Sequence, residues 1–441
     1  MPGSAVHDTM PDRAALSATA LLAYGLFGLP LALVALPIYV YVPQFYAERF
    51  NLSLTMIGSA LLLARVFDAF IDPAFGLWID RSQHRGPNRL GYPRFILLAL
   101  PALVIGFIAL FHPPAFAAAH PFAWFLASLL LVYAGFSLAT IAHQSWGAAL
   151  TQARGERSRL TATREACGLV GVVIAAALPS VAGIGWLSAV FVATLLVAAV
   201  LLLTVAPRPS PAALAAATPA GEAAGATLGS LAALREPFRN RRFRWLFAVF
   251  VVNGIAAAIP ATLFLFFAKD GLQLGQYAGL FLVLYFSAAA ISLPLWVALA
   301  KRRGEASAWL LSMLLAIAAF IWVYGLSAGA AVGFGAVCVM SGFALGADLA
   351  LPPALLAAVI SRAGHSGARE GSYFGAWSWA TKMNLALAAG VALPLLERLG
   401  YVPGTADAGG MEALRVAYAV LPCALKLLAA ALLWRAPLND I

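Results

Sequence analysis

Apolar residues fall along this chain in twelve long runs, near 15–47, 53–79, 93–112, 120–150, 160–183, 185–206, 242–268, 274–300, 306–327, 329–361, 371–396 and 411–434. Polar residues gather in the gaps. Each run reaches the roughly 20 apolar residues that a membrane-spanning helix needs. The pattern predicts an all-α polytopic membrane protein with twelve transmembrane helices. The first run is too long for the core of a signal peptide, and no small-residue cleavage site follows it.

Composition strengthens this picture. Of 441 residues, 63% are hydrophobic and 10% charged, and the mean hydropathy is +0.89. An ordinary soluble domain carries about 25% charged residues, so a soluble fold is excluded. The net charge of +10 does not indicate nucleic acid, because the basic residues sit in short loops and not on one patch. With the N-terminus inside, twenty-one of the 28 Lys and Arg residues fall on that side. Arg49, Lys269, Arg398 and Arg415 fall on the other, and Arg65, Lys382 and Lys426 lie within spans. This bias predicts cytoplasmic termini in a cell inner (plasma) membrane. Cys167, Cys338 and Cys423 show neither metal spacing nor a disulfide framework.

Residues 207–230, PRPSPAALAAATPAGEAAGATLGS, break the pattern with a linker-like composition. The basic stretch after it carries Phe238, Phe243 and Trp245 among arginines, as an interfacial segment on anionic headgroups would. The expected organisation is an N-terminal six-helix half (1–206), a cytoplasmic linker with a basic segment (207–241) and a C-terminal six-helix half (242–441). A weak internal echo supports two pseudo-repeat halves: FGLWIDRSQHRG (75–86) closes span two and LPLWVALAKRRG (293–304) closes span eight. This layout resembles the major facilitator superfamily, in which the substrate site lies between repeated halves.

The chemistry concentrates in ARVFDAFIDPAFGLWIDR (64–81). Asp68 and Asp72 are four apart and share a helix face, and Arg65 can reach Asp68. A charge at mid-membrane costs at least ~2.5 kcal/mol. Two carboxylates on one face therefore call for a cation. Na⁺ would serve, since hard cations take carboxylate oxygens, and so would a shared proton. The competing structural reading is an Arg65–Asp68 pair that only pins helices. Pro73 would free a backbone carbonyl nearby. Lys382, midway along span eleven, needs a partner, and Asp68 or Asp72 across the cavity is the natural one. Asp348 in span ten, before Pro352 and Pro353, is expected to line the cavity or pair with Lys382 in an irregular helix. Lys426 in span twelve reads as snorkelling or structural.

Further cavity candidates are Tyr41 and Gln44 (span one), Tyr133, His143, Gln144 and Trp146 (span four), and Trp377 and Trp379 (span eleven). Aromatic rings stack on sugars and on acyl chains. Arg164–Glu165 and Arg369–Glu370 stand at equivalent starts of spans five and eleven. They suit either a cytoplasmic gate or helix caps.

The motif Arg65-x-x-Asp68-Ala69-x-x-Asp72-Pro73-x-x-Gly76 resembles the signature of the glycoside–pentoside–hexuronide:cation symporters, whose best-known member is the melibiose permease. The resemblance implies that Asp68 and Asp72 bind the coupling cation, that Lys382 couples it, and that Trp146 lies beside the sugar. It departs in GLPLALVALP and IAHQSWG, where Ala stands for the melibiose permease's two sugar-binding acids, and at Ile71, where that permease has Asn. The expectation is a monomeric, non-enzymatic carrier. It would symport a sugar or glycoside with Na⁺ or H⁺ by alternating access, with no resident cofactor and no nucleic-acid partner. Its rivals are a carrier of amphipathic lipids or drug-like solutes and a non-transporting membrane sensor. An enzyme ranks last, because no nucleophile–base pair, phosphate loop or metal-spaced histidine set is present.

Overall fold

A computed structural model describes residues 16–83, 91–150, 154–208, 237–364, 370–405 and 407–438. Within these, twelve helices are long and apolar enough to cross a membrane. They are α1 (Ala18–Val40), α2 (Leu54–Gln83), α3 (Tyr92–Phe111), α4 (Pro121–Leu150), α5 (Arg154–Val181), α6 (Ile184–Thr204), α7 (Arg241–Gly271), α8 (Gly275–Arg303), α9 (Glu305–Gly325), α10 (Ala331–Arg362), α11 (Glu370–Arg398) and α12 (Ala408–Arg435). The expected linker lies almost wholly outside the described residues.

Helix α1 breaks at Leu26–Phe27, and a further helix, Val42–Phe50, continues it past Tyr41. By contrast α10 runs unbroken through Pro352 and Pro353. The irregularity expected there is absent because packing on α8 and α9 holds the helix together around the missing donors. The basic segment before α7 also departs from expectation. Asn240 caps α7 by accepting from the backbone N–H of Arg242 at 2.9 Å. Phe243 turns inward and is buried against Phe238 and Tyr373, so it does not lie on headgroups.

The packing repeats. In the first half α1 packs on α5 and α6, α2 on α4, and α3 on α4 and α6. In the second half α7 packs on α11 and α12, α8 on α10, and α9 on α10 and α12. Adding six to each label converts one set into the other. Two principal contacts cross between halves, α2 with α11 and α5 with α8, and the same operation exchanges them.

The halves meet on the side away from the termini. One apolar core contains residues of α1–α6 together with Leu263–Leu282 of the second half, Phe334 and Leu393. A separate core, with Phe243, Trp309, Tyr373 and Leu433, fills the second half toward the termini. Polar contacts tie the closed side. Lys269 pairs with Glu48 at 2.7 Å, Thr55 N–H donates to Glu397 at 2.5 Å, and Gly279 N–H donates to Ser180 Oγ at 3.0 Å. Toward the termini, a side chain added at Gly76 of α2 or Gly375 of α11 would meet nothing within 4 Å. The conformation is closed on the loop side and parted on the side of the termini.

Closure depends on backbone approach at Gly58, where a Cβ would come within 2.8 Å of the Ala389 carbonyl oxygen and 3.1 Å of Pro394. Gly58→Ala should therefore wedge α2 from α11 and populate the opposite conformation. With the native cysteines replaced, a cysteine at the fully buried Leu393 should react with an aqueous maleimide at least tenfold faster in Gly58→Ala than without it.

Candidate functional site

Helices α2 and α11 run antiparallel, and the rise of 1.5 Å per residue sets the depth of their charges. Asp68 lies about 21 Å along α2 from its loop-side start, and Lys382 about 24 Å along α11 from its loop-side end. They sit at one level, where the cross-half contact gives way to the parted side.

There the charges converge. Lys382 Nζ donates to Asp72 Oδ2 and lies 2.9 Å from Asp68 Oδ2. Arg65 lies 3.5 Å from Asp68, with its guanidinium over the Tyr133 ring at 4.5 Å from the centroid. Ser137 Oγ donates to Asp68 Oδ1. The Asp68 side chain is wholly buried, while those of Asp72 and Lys382 retain 27% and 20% exposure. The pair therefore has an inner and an outer member, and the outer one is reachable from the parted side. Helix α2 continues through Pro73, so the proline perturbs its hydrogen bonding without ending it.

Two acids and two bases make the cluster neutral, yet it is under-satisfied. Buried polar side-chain atoms are nearly always hydrogen-bonded. Among the described residues four such atoms have no partner: Asp68 Oδ2, Asp72 Oδ1, Thr140 Oγ1 and Asn384 Oδ1. The contact of Asp68 Oδ2 with Lys382 is electrostatic and lacks hydrogen-bond geometry. Asp68 and Asp72 belong to α2 and Thr140 to α4 one turn beyond Ser137, whereas the Asn384 amide of α11 lies against Gly254 of α7. All four are oxygens. Among the described residues no three His, Cys, Asp or Glu side chains group as a metal centre would require. Sequence reasoning missed Ser137 and Thr140, whose i, i+3 spacing in α4 was the available signal.

The other expected site residues divide. Tyr133 joins the cluster beneath Arg65. Asp348 does not meet Lys382; it pairs with Lys426 at 3.0 Å and accepts from Trp309 Nε1 at 2.7 Å and Asn253 Nδ2 at 3.0 Å. Trp146 is fully buried, donates to the Pro207 carbonyl at 3.0 Å and stacks near Tyr92. In this conformation it is a fastener and not a wall of a cavity, because its face of α4 turns toward α3 and the end of α6. His143 is likewise buried, bonded to the Tyr24 carbonyl at 2.9 Å and stacked on the Tyr24 ring. Gln144 faces a pocket with Arg164 and Thr161 on the side of the termini.

Tyr41 donates to the Ala176 carbonyl of α5 at 2.7 Å, and Gln44 donates to Glu48 at the closed side. The break at Tyr41 separates the face these two were expected to share. Trp377 packs on Phe250 at 3.6 Å between centroids, and Trp379 is exposed. Arg164 bonds its own neighbour Glu165 at 2.6 Å, so this pair does not bridge the halves here. The Glu370 side chain and all of Arg369 lie outside the described residues. The gate present in this conformation is on the opposite side, at Glu48–Lys269.

With this geometry in view, comparison with known proteins is informative. A family described as MFS/sugar transport protein matches residues 19–440. The chain belongs to that family. It is a multi-pass membrane transporter, in agreement with the symporter signature read in α2. The isoprimeverose transporter of Lactiplantibacillus pentosus is 30% identical over 148 residues, which span 33% of this chain and 30% of that protein. Among solved structures, the nucleoside transporter NupG matches with a TM-score of 0.69 at 15% identity, over 94% of this chain and 99% of that one. A D-xylose-proton symporter matches with a TM-score of 0.64 at 16% identity, over 96% and 97%. At such identities these two structures share the fold alone.

The Asp348–Lys426 pair makes a stability prediction. Breaking a buried pair strands a charge and costs roughly 3–5 kcal/mol, whereas removing both charges is far milder. Lys426→Met should lower the unfolding temperature sharply or prevent folding. Lys426→Met with Asp348→Asn should recover most of the loss in a thermal melt.

Proposed function

We propose that this protein is a cation-coupled symporter of a sugar- or glycoside-like solute, driven by Na⁺ or H⁺ and working by alternating access across the inner (plasma) membrane with cytoplasmic termini. The observation that carries this is the under-satisfied, neutral cluster of Arg65, Asp68, Asp72 and Lys382 at the junction of the halves. Family membership supports the sugar part, and the relative named as an isoprimeverose transporter agrees with it.

The Lys382 ammonium occupies the place beside both carboxylates that a transported cation would take. A cation entering there would add a fifth charge to a balanced set, so it displaces Lys382. A proton on Asp72 achieves the same release. Freed, Lys382 no longer fastens α11 to α2, and the halves can rock. When the ion leaves toward the parted side, Lys382 returns and the empty carrier is neutral again. Ion and solute thereby raise each other's affinity, as linkage requires.

Thermal unfolding of the whole chain in detergent tests this without knowledge of the solute. A ligand that binds only the folded state stabilises it by about 2.7 kcal/mol at a hundredfold excess over Kd. Melts in Na⁺, Li⁺ and K⁺ at two pH values should show a Na⁺-specific rise in wild type that disappears in Asp72→Asn and Asp68→Asn. For H⁺ coupling, the wild type should instead show a pH dependence that the variants lose. Variants indistinguishable from wild type under every condition would make the cluster structural.

A further inference from the structure

Two of the contacts that tie the closed side share one construction. In the first, the backbone N–H of Thr55, the second residue of α2, donates at 2.5 Å to Glu397, the last residue but one of α11. In the second, the regular α-helix of α8 begins at Ala278, and the N–H of its second residue, Gly279, donates at 3.0 Å to Ser180 Oγ. Ser180 is the last residue but one of α5. Adding six to the helix labels turns α2 into α8 and α5 into α11. The two contacts therefore correspond position for position.

Each is a helix cap. The first N–H groups of a helix have no partner within it and need an acceptor from outside. Helix α2 supplies one of its own, Ser53 Oγ, which accepts from the Met56 N–H at 3.2 Å. Tyr277, before α8, makes no side-chain cap. In both helices the acceptor for the second residue comes from the opposite half. Glu397 is badly placed for its own helix, because a carboxylate in the last turn meets the negative end of the dipole. Across the joint it meets the positive end of α2. The second contact needs close approach: a Cβ on Gly279 would lie 2.6 Å from Ser180 Oγ and 3.0 Å from the Ala176 carbonyl oxygen.

A cap lent across the halves holds only while the halves touch. We propose that Glu397 and Ser180 are gate residues of the loop side, positioning residues that favour its closed conformation by capping α2 and α8 in trans and that are withdrawn together when that side opens. Helices α2 and α8 make no principal contact with each other, so loss of one cap reaches the other helix only through movement of the halves. That movement rests on the alternating access proposed above; the capping does not.

Hydrogen exchange followed by mass spectrometry tests this on the full chain in detergent, since backbone amides lose protection where a helix start comes free. Peptides covering the starts of α2 and α8 are compared among wild type, Glu397→Ala, Glu397→Gln and Ser180→Ala. Glu397→Ala should speed exchange at least threefold at the start of α2 and also at the start of α8. Ser180→Ala should likewise speed both, and α8 the more. Glu397→Gln keeps an acceptor without the charge and should fall between wild type and Glu397→Ala. Gly58→Ala leaves both caps chemically intact and should free both helix starts once its Leu393 position reacts as open. The proposal fails if each substitution frees only the helix it caps, if neither start responds, or if Gly58→Ala opens the side with both starts still protected. The cation and pH melts judge the coupling separately. Exchange that spreads between the two starts without any cation or pH effect would refute the coupling and leave the gate standing. A cation effect with purely local exchange would refute the gate alone.

Discussion

Placing two carboxylates of one helix at mid-membrane constrains everything around them. Asp68 and Asp72 cannot face lipid, so α2 must meet another helix at that depth. Lys382 meets both carboxylates at that level, which brings α11 of the opposite half against α2. Arg65 completes a neutral set and is itself held over Tyr133. The contact that joins the halves is therefore made by the same groups that would bind a coupling ion. Any ion that enters competes with the joint.

The repeated packing gives this competition a mechanical consequence. Within each half the helix pairings correspond one to one, and α2–α11 and α5–α8 cross between halves. Such a body can pivot on its two crossing contacts without repacking either half. On the loop side the pivot is latched by Glu48–Lys269 and Thr55–Glu397. The Glu48–Lys269 pair is exposed and weak, as surface ion pairs are, contributing about 0–1 kcal/mol. The shared apolar core holds the rest of that closure.

The sequence made the spans legible because hydropathy reports burial in lipid directly, and it made the α2 acids legible because charge is rare there. The meeting of Lys382 with those acids also followed from depth. The rotation of each helix did not. Trp146 and His143 looked like cavity residues because span four is polar near its end, yet tertiary packing turns both toward neighbours within their own half. Asp348 looked like a partner for Lys382 because both are deep and in the second half. Lys426 on α12 is nearer, a fact that depends on how α12 packs on α9 and α7 and leaves no periodic trace. The Glu48–Lys269 pair depends on the loop side being the closed one, which no pattern in the sequence marks.

The two intramembrane charge clusters show why one reads as machinery and the other as framework. Asp348 accepts from an indole, an amide and an ammonium, and no oxygen of its carboxylate lacks a partner. A pair so fully satisfied gains nothing from an ion and loses much if disturbed. Asp72 Oδ1 has no hydrogen-bond partner, and Asp68 Oδ2 meets Lys382 and Arg65 only as ion pairs. A buried oxygen left bare, as Asp72 Oδ1 is, carries a standing cost of about 1–3 kcal/mol. A static scaffold has no use for that cost, and satisfying that oxygen would stabilise it. A carrier would have a use for it under the proposed coupling, in which an arriving cation or proton relieves the cost and so favours one state of the cycle over the other.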